Sequence, residues 1–295
     1  MQSADFLSAV FFYLKEGENL NQNWIVENLN NAFSTWNGKL GELWGLVTTG
    51  PQTFKGGAVW SVMQTLHNGM VGIGYALVVL FFAISLCKNT MNFHELKRPE
   101  AAIHYFLRFV AAKALVGYGM DIMLNVFSIC NGIVTDMVDS MGGISEAMVS
   151  LPAEMQTAIE NVGFLASIPL WLVTILGSLF ITVLSFVMIL TVYGRFFRLY
   201  MYTALAPLPL AAFAGESTQS VGISFLKSYV GVCLEGAVIV LACVIYSAFV
   251  STPTVASGEA TTIVWSYLAE TVFNMLVLVG LIKGSDRIIH EMMGL

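Results

Sequence analysis

The stretch YGRFFRLYMYTALAPLPLAAFAGESTQS, residues 193–220, decides how many times this chain crosses a membrane. Arg195 and Arg198 stand one helical turn apart, an apolar run follows them, and Pro207 and Pro209 fall inside that run. Each proline lacks a backbone N–H and restricts the residue before it, so a straight crossing through this run is opposed. The stretch therefore reads as a turn, in-plane or re-entrant, between two membrane spans.

Composition sets the frame for that reading. The chain is 57% hydrophobic and 11% charged, with mean hydropathy +0.75, whereas a soluble domain is roughly half apolar and about a quarter charged. A spanning helix needs about 20 apolar residues, and five windows qualify: 69–87, 105–128, 164–193, 225–249 and 263–282. The expectation is an all-α polytopic membrane protein. No basic start or small-residue cleavage site accompanies the short apolar stretch FLSAVFFYL, so the first span is expected to direct insertion. Cys87, Cys130, Cys233 and Cys243 form no C-x-x-C pair and read as small packing residues.

Charge then orients the spans. Lys88, Lys97, Arg98, Arg195, Arg198, Lys283 and Arg287 lie beside span ends that share one side if the five spans alternate. Asp136, Asp139, Glu146, Glu154 and Glu160 populate the 129–163 connection, and Glu259 the next one on that opposite side. The positive-inside rule makes the basic side cytoplasmic. The C-terminus is then cytoplasmic, residues 1–65 form an extracytoplasmic or interfacial amphipathic helical region, and residues 66–295 form the transmembrane domain. A crossing by the Pro-containing run would reverse the last two spans and lose this asymmetry. Trp24, Trp36, Trp44, Trp60, Trp171 and Trp265 fit an outer aromatic belt.

Before Gly50 and Pro51, apolar residues recur at Ile25, Leu29, Phe33, Trp36, Leu40, Leu43 and Val47, which is one stripe of a helix. It packs on its own protein or membrane, or else meets a partner. The third span carries a small polar stripe, Thr174, Ser178, Thr182 and Ser185. Such stripes let helices approach and hydrogen-bond; the sharper alternative is a water-lined conduit. Lys113 and Glu235 sit at similar depth in the second and fourth spans and are expected to form an intramembrane ion pair. Arg108 and Lys227 lie near span ends and can snorkel. Asp121 and Glu270, nearer the outer face, would line a central axis if the protein oligomerises.

Catalytic signatures are not found: there is no phosphate loop, no H-E-x-x-H and no nucleophile elbow, and the four histidines make no ligand spacing. No catalytic residue, metal or cofactor is assigned, and an enzyme is not expected.

The long helix ending MILTVYGRFFRLYMYTALAPLPLAAF, followed by AGESTQSVGISFLKSYVGVCLEGAVIVLACVIYSAF, resembles the TrbL-like polytopic inner-membrane family of type IV secretion and conjugation systems. The resemblance covers residues 167–249. It implies a non-enzymatic subunit at the base of a translocation channel in the bacterial cytoplasmic membrane, encoded by a mobile genetic element and present in several copies. Its partners would be cytoplasmic ATPases, extracytoplasmic components, membrane lipid, and single-stranded DNA with its relaxase or a protein in transit. Onto this sequence the resemblance carries Arg195, Arg198, Pro207, Pro209 and Glu216, as a cytoplasmic turn docking the rest of the machine. A small-solute transporter or channel and a structural scaffold of another envelope complex are the competing readings.

Overall fold

The stripe from Ile25 to Val47 is buried along its whole length: none of its residues is more than 2% exposed. They belong to α1 (Gln2–Thr48), the first helix of a computed structural model that describes residues 2–90, 99–140, 148–162, 164–249 and 260–294. Lys97, Arg98, Glu146 and Glu259, counted in the charge tally, lie outside the described residues. The other helices are α2 (Ala58–Thr90), α3 (Pro99–Gly117), α4 (Gly119–Ser140), α5 (Ala153–Glu160), α6 (Phe164–Leu205), α7 (Pro207–Ala211), α8 (Gln219–Phe249) and α9 (Ala260–Met293). Among the described residues there is no strand. Among the described residues, five segments are long and apolar enough to cross a membrane: Phe54–Lys88, Gly119–Ser140, Ser167–Leu205, Gln219–Ala248 and Thr262–Met293. The chain is an all-α, multi-pass membrane protein.

It divides into two units, each assembled from three stretches of sequence. The first comprises Met1–Trp44, Gly143–Thr191 and Leu241–Lys283. Here α1 presents its apolar stripe to α6 and α9: Phe33 meets the Tyr267 ring edge-on at 6.4 Å, and Asn28 donates to the Ser178 hydroxyl at 3.0 Å. Asn37 pairs with both backbone groups of Val149, at 2.8 and 3.0 Å, which ties the strand of chain before α5 to α1. The partner-facing alternative for the stripe is thereby replaced by internal packing. Trp36, assigned from sequence to an interfacial belt, is a core residue at 0% exposure, whereas Trp24, Trp171 and Trp265 are exposed.

The second unit comprises Gly45–Gly142, Val192–Val240 and Gly284–Leu295. Its first feature is the turn from α1 into α2. A 3-10 turn, Phe54–Gly57, holds Lys55, Gly56 and Gly57 at φ of 48°, 73° and 77°, a left-handed run between α1 and α2. Lys55 tolerates this conformation with its Nζ 4.9 Å from the centre of the Tyr193 ring, while Phe54 stacks on Phe196 at 4.0 Å.

The Pro-containing run corrects the sequence reading of where α6 ends. Nothing between Tyr193 and Leu205 interrupts a helical ladder, so α6 continues through Arg195 and Arg198 and stops only before Pro207. Pro207 has no N–H to give the carbonyl of Thr203. The Nδ1 of His67, a buried side chain on α2, donates to that carbonyl instead, at 2.7 Å. The short helix α7 and the 3-10 turn Ala212–Ala214 then lie between α2 and α3, with Leu210, Ala211 and Ala214 packed among Val78 and Val116. Gly74 permits this: a Cβ there would fall 2.9 Å from the Pro207 carbonyl oxygen. The segment is mostly buried, with Glu216 and Ser217 exposed at its end.

The second expected span is also displaced. Residues 105–128 run across the junction of α3 and α4 at Tyr118, where helical bonds persist on either side: Tyr118 N–H to the Ala114 carbonyl at 2.9 Å, and Ile122 N–H to the Tyr118 carbonyl at 3.0 Å. The candidate span is α4 itself, which carries Asp136 and Asp139 on helix rather than in a loop.

Candidate functional site

In the second unit α6 brings Arg195 and Arg198 to one face, three residues apart, opposite the middle of α8. Arg195 is 0% exposed. Its guanidinium spreads over three backbone carbonyls: Nε donates to Val232 at 3.3 Å, Nη2 to Cys233 at 3.1 Å and Nη1 to Val47 at 3.3 Å. Val47 lies in the last turn of α1, where carbonyls have no partner within the helix and the helix dipole is negative. A guanidinium answers both needs at once. The Phe127 ring of α4, 5.9 Å from its central carbon, adds a cation–π contact. Gly236 makes room for the group: a Cβ at that position would sit 2.6 Å from Nη1.

Arg198 turns to the carboxylates. Its Nη2 lies 2.7 Å from both oxygens of Glu235, and its Nη1 donates to Asp286 on α9. Glu235 is 1% exposed and takes a further bond, 3.2 Å, from the Ser285 hydroxyl. Asp286 is about half exposed and has the His290 Nε2 at 3.6 Å. Two guanidinium groups and two carboxylates therefore balance, and their bonds join α6 to α8, to α9 and to the end of α1. Beside them, Tyr200 donates to the Pro51 carbonyl at 2.8 Å and Asn131 to the Thr48 carbonyl at 3.1 Å, so α6 and α4 also hold the turn that follows α1.

This arrangement revises several residue assignments. Glu235 takes Arg198, not Lys113, as its partner: Lys113 is exposed on α3, and among the described residues no ion pair joins it to Glu235. The error came from ending the third span at Tyr193, which removed Arg198 from the helical level where Glu235 finds it. Arg195 is buried and Arg198 half-buried, and both stand within α6 with their guanidinium groups on neighbouring helices rather than on a turn. Pro207 is buried, Pro209 half-buried, and Glu216 is exposed on the wall of a cavity of about 600 Å³ with His104, Tyr105 and Arg108. The charge tally changes as well. Phe54, at the start of the first candidate span, stacks on Phe196, two residues from Arg198, which binds Asp286. Lys88 lies at the other end of that span, about 50 Å away at the helical rise. Lys88 and the basic residues near Asp286 therefore do not share a level.

The α6 polar stripe is packing, not a conduit within the unit that holds it. Thr174, Ser178 and Ser185 are buried and Thr182 is half-buried. Their hydroxyls donate to the carbonyls of Trp171, Ile175, Ser178 and Ile181 at 2.8 to 3.0 Å. Asp121 on α4 and Glu270 on α9 are both exposed. Sequence reasoning missed Ser285, Asp286 and Gly236; the one signal for them is an unbroken helix through two arginines, which demands acceptors on its neighbours.

Compared with known proteins, no curated protein and no solved structure matches the chain. A family model described as TrbL/VirB6 plasmid conjugal transfer like protein matches residues 36–207. The match begins in the buried stripe of α1, includes α2 to α6, and ends at the proline that stops α6. It overlaps the C-terminal resemblance only as far as residue 207. More than half of the chain is covered, so the protein belongs to the TrbL/VirB6-like family of plasmid conjugal transfer proteins and is a membrane component of a conjugal transfer, type IV secretion system.

Proposed function

We propose that the chain is a non-enzymatic subunit at the base of the translocation channel, in the bacterial cytoplasmic membrane. It works in several copies beside cytoplasmic ATPases and extracytoplasmic components, and moves single-stranded DNA with its relaxase, or protein, across that membrane. The observation that carries this reading is the family match over residues 36–207, which spans the first two candidate membrane helices and α6. The charged cluster is consistent with it, because guanidinium and carboxylate groups are spent on one another and on backbone carbonyls, as a helical scaffold requires. Deleting the gene and restoring it in trans tests the proposal. The expected result is a fall in transfer frequency of at least about a thousandfold, with ATPase levels unchanged and recovery on complementation. Transfer at the undiminished frequency would refute it.

A further inference from the structure

The exposed surface of α4 is split between two kinds of side chain. At about 100° per residue, Asp121, Asn125, Ser128, Gly132, Thr135, Asp136 and Asp139 fall within about 100° of arc. All are exposed except Thr135, which is half-buried. Met123, Phe127, Cys130 and Val134 form the opposite, buried face. Ile129 and Ile133, 70% and 46% exposed, occupy the sector between. The helix is one of the five candidate spans. Its isoleucine sector suits lipid; its polar sector, with Asp121 at one end, Asp136 and Asp139 at the other and Asn125 and Ser128 between them, does not, because polar groups without partners in hydrocarbon are costly.

A second observation points to water on that side. A cavity of about 540 Å³ lies against the stripe, lined by Gln52, Asp121, Asn125, Ser128 and Asn131. The Asn131 amide nitrogen is occupied by the Thr48 carbonyl, but its Oδ1 is buried without a hydrogen-bond partner. An orphaned acceptor of this kind costs about 1–3 kcal/mol unless water reaches it, and a polar cavity of this size holds water readily.

We propose that the polar face of α4 lines a water-filled, acidic path. This deepens the channel reading and rests on it. The wall carries three aspartates and no basic residue in the whole of α4. Such a surface concentrates cations and does not bind a polyanion, so a nucleic-acid strand passing it would not be held by this helix.

The test uses the full-length chain in its transfer-competent machine, in a Cys87→Ser background because Cys87 is the exposed native thiol. Single cysteines replace Asn125, Ser128, Thr135, Ile129 and Ile133 and are treated with membrane-impermeant thiosulfonates carrying trimethylammonium or sulfonate. Asn125→Cys and Ser128→Cys are expected to react at least about tenfold faster than Ile129→Cys and Ile133→Cys. The cationic reagent should outpace the anionic one several-fold, and Asp121→Asn with Asp136→Asn should reduce that preference. Unreactive polar positions would mean a dry contact and overturn the proposal. Equal reactivity at all five would place α4 outside the membrane and overturn it too, as would a preference for sulfonate. These rates do not depend on what the path carries, so a failed deletion phenotype and a dry α4 are separate results.

Discussion

Arg198→Leu and Glu235→Leu are each expected to strip the membrane of most folded protein, and the double variant to restore much of it. Arg198→Leu leaves the buried Glu235 carboxylate without its guanidinium, and Glu235→Leu leaves the buried Arg195 beside Arg198 without that carboxylate, a loss of about 3–5 kcal/mol for a broken buried pair. Glu235→Leu is the worse of the two, because Arg195 and Arg198 then face each other with only the half-exposed Asp286 to balance them. Against a total stability of about 5–15 kcal/mol, a loss of this size removes most of the margin. Replacing both partners by apolar side chains removes the desolvation cost together with the attraction and is often neutral. Quantitative immunoblots of membranes and unfolding midpoints in detergent read the cycle. Lys113→Leu belongs in the same series and should leave both unchanged. Single variants as stable as the parent, or a double variant as damaged as the sum of the two, would show that the pair does not hold these helices.

Arg195→Lys is expected to be nearly as damaging as Arg195→Met. The three carbonyls of Val47, Val232 and Cys233 diverge around a planar fork of donors, whereas an ammonium is a point charge that can satisfy one or two of them. Hydrogen bonds from a charged group contribute about 1.5–3 kcal/mol each, so losing the one to the end of α1 alone lowers the unfolding midpoint by several degrees. Gly236→Ala should produce a comparable loss without touching any charge, since its methyl group would occupy the space of Nη1. Unfolding curves in one detergent compare the three variants; a lysine variant with the parent midpoint would contradict the fork.

How far the sequence spoke for this fold differs from one element to another. The α1 stripe was legible residue by residue, because helical periodicity depends on side chains close in sequence, and each of its residues is buried. Membrane character was legible from composition alone. The end of α6 was misread because two arginines in an apolar run look like a membrane boundary, when the physical stop was the missing backbone donor at Pro207. That one shift carried Arg198 away from Glu235 and put Lys113 in its place. The acceptors of Arg195 were illegible for a different reason: they are backbone carbonyls of distant helices, and no residue type marks them. The α4 stripe was visible at Asp121 but not beyond it, because a span drawn across Tyr118 hid the register of the helix that follows.

Where the transported chain touches this protein is the question on which the whole account turns. A photo-activatable residue placed at Ser128 on α4, or at Ser178 on α6, can be irradiated in cells during transfer. Ser128 is exposed on the acidic stripe, and Ser178 is buried and bonded to Asn28. Substrate in transit past the stripe, in contact without being bound there, is expected to give an adduct at position 128 and none at position 178. An adduct at 178 with none at 128 would contradict the account.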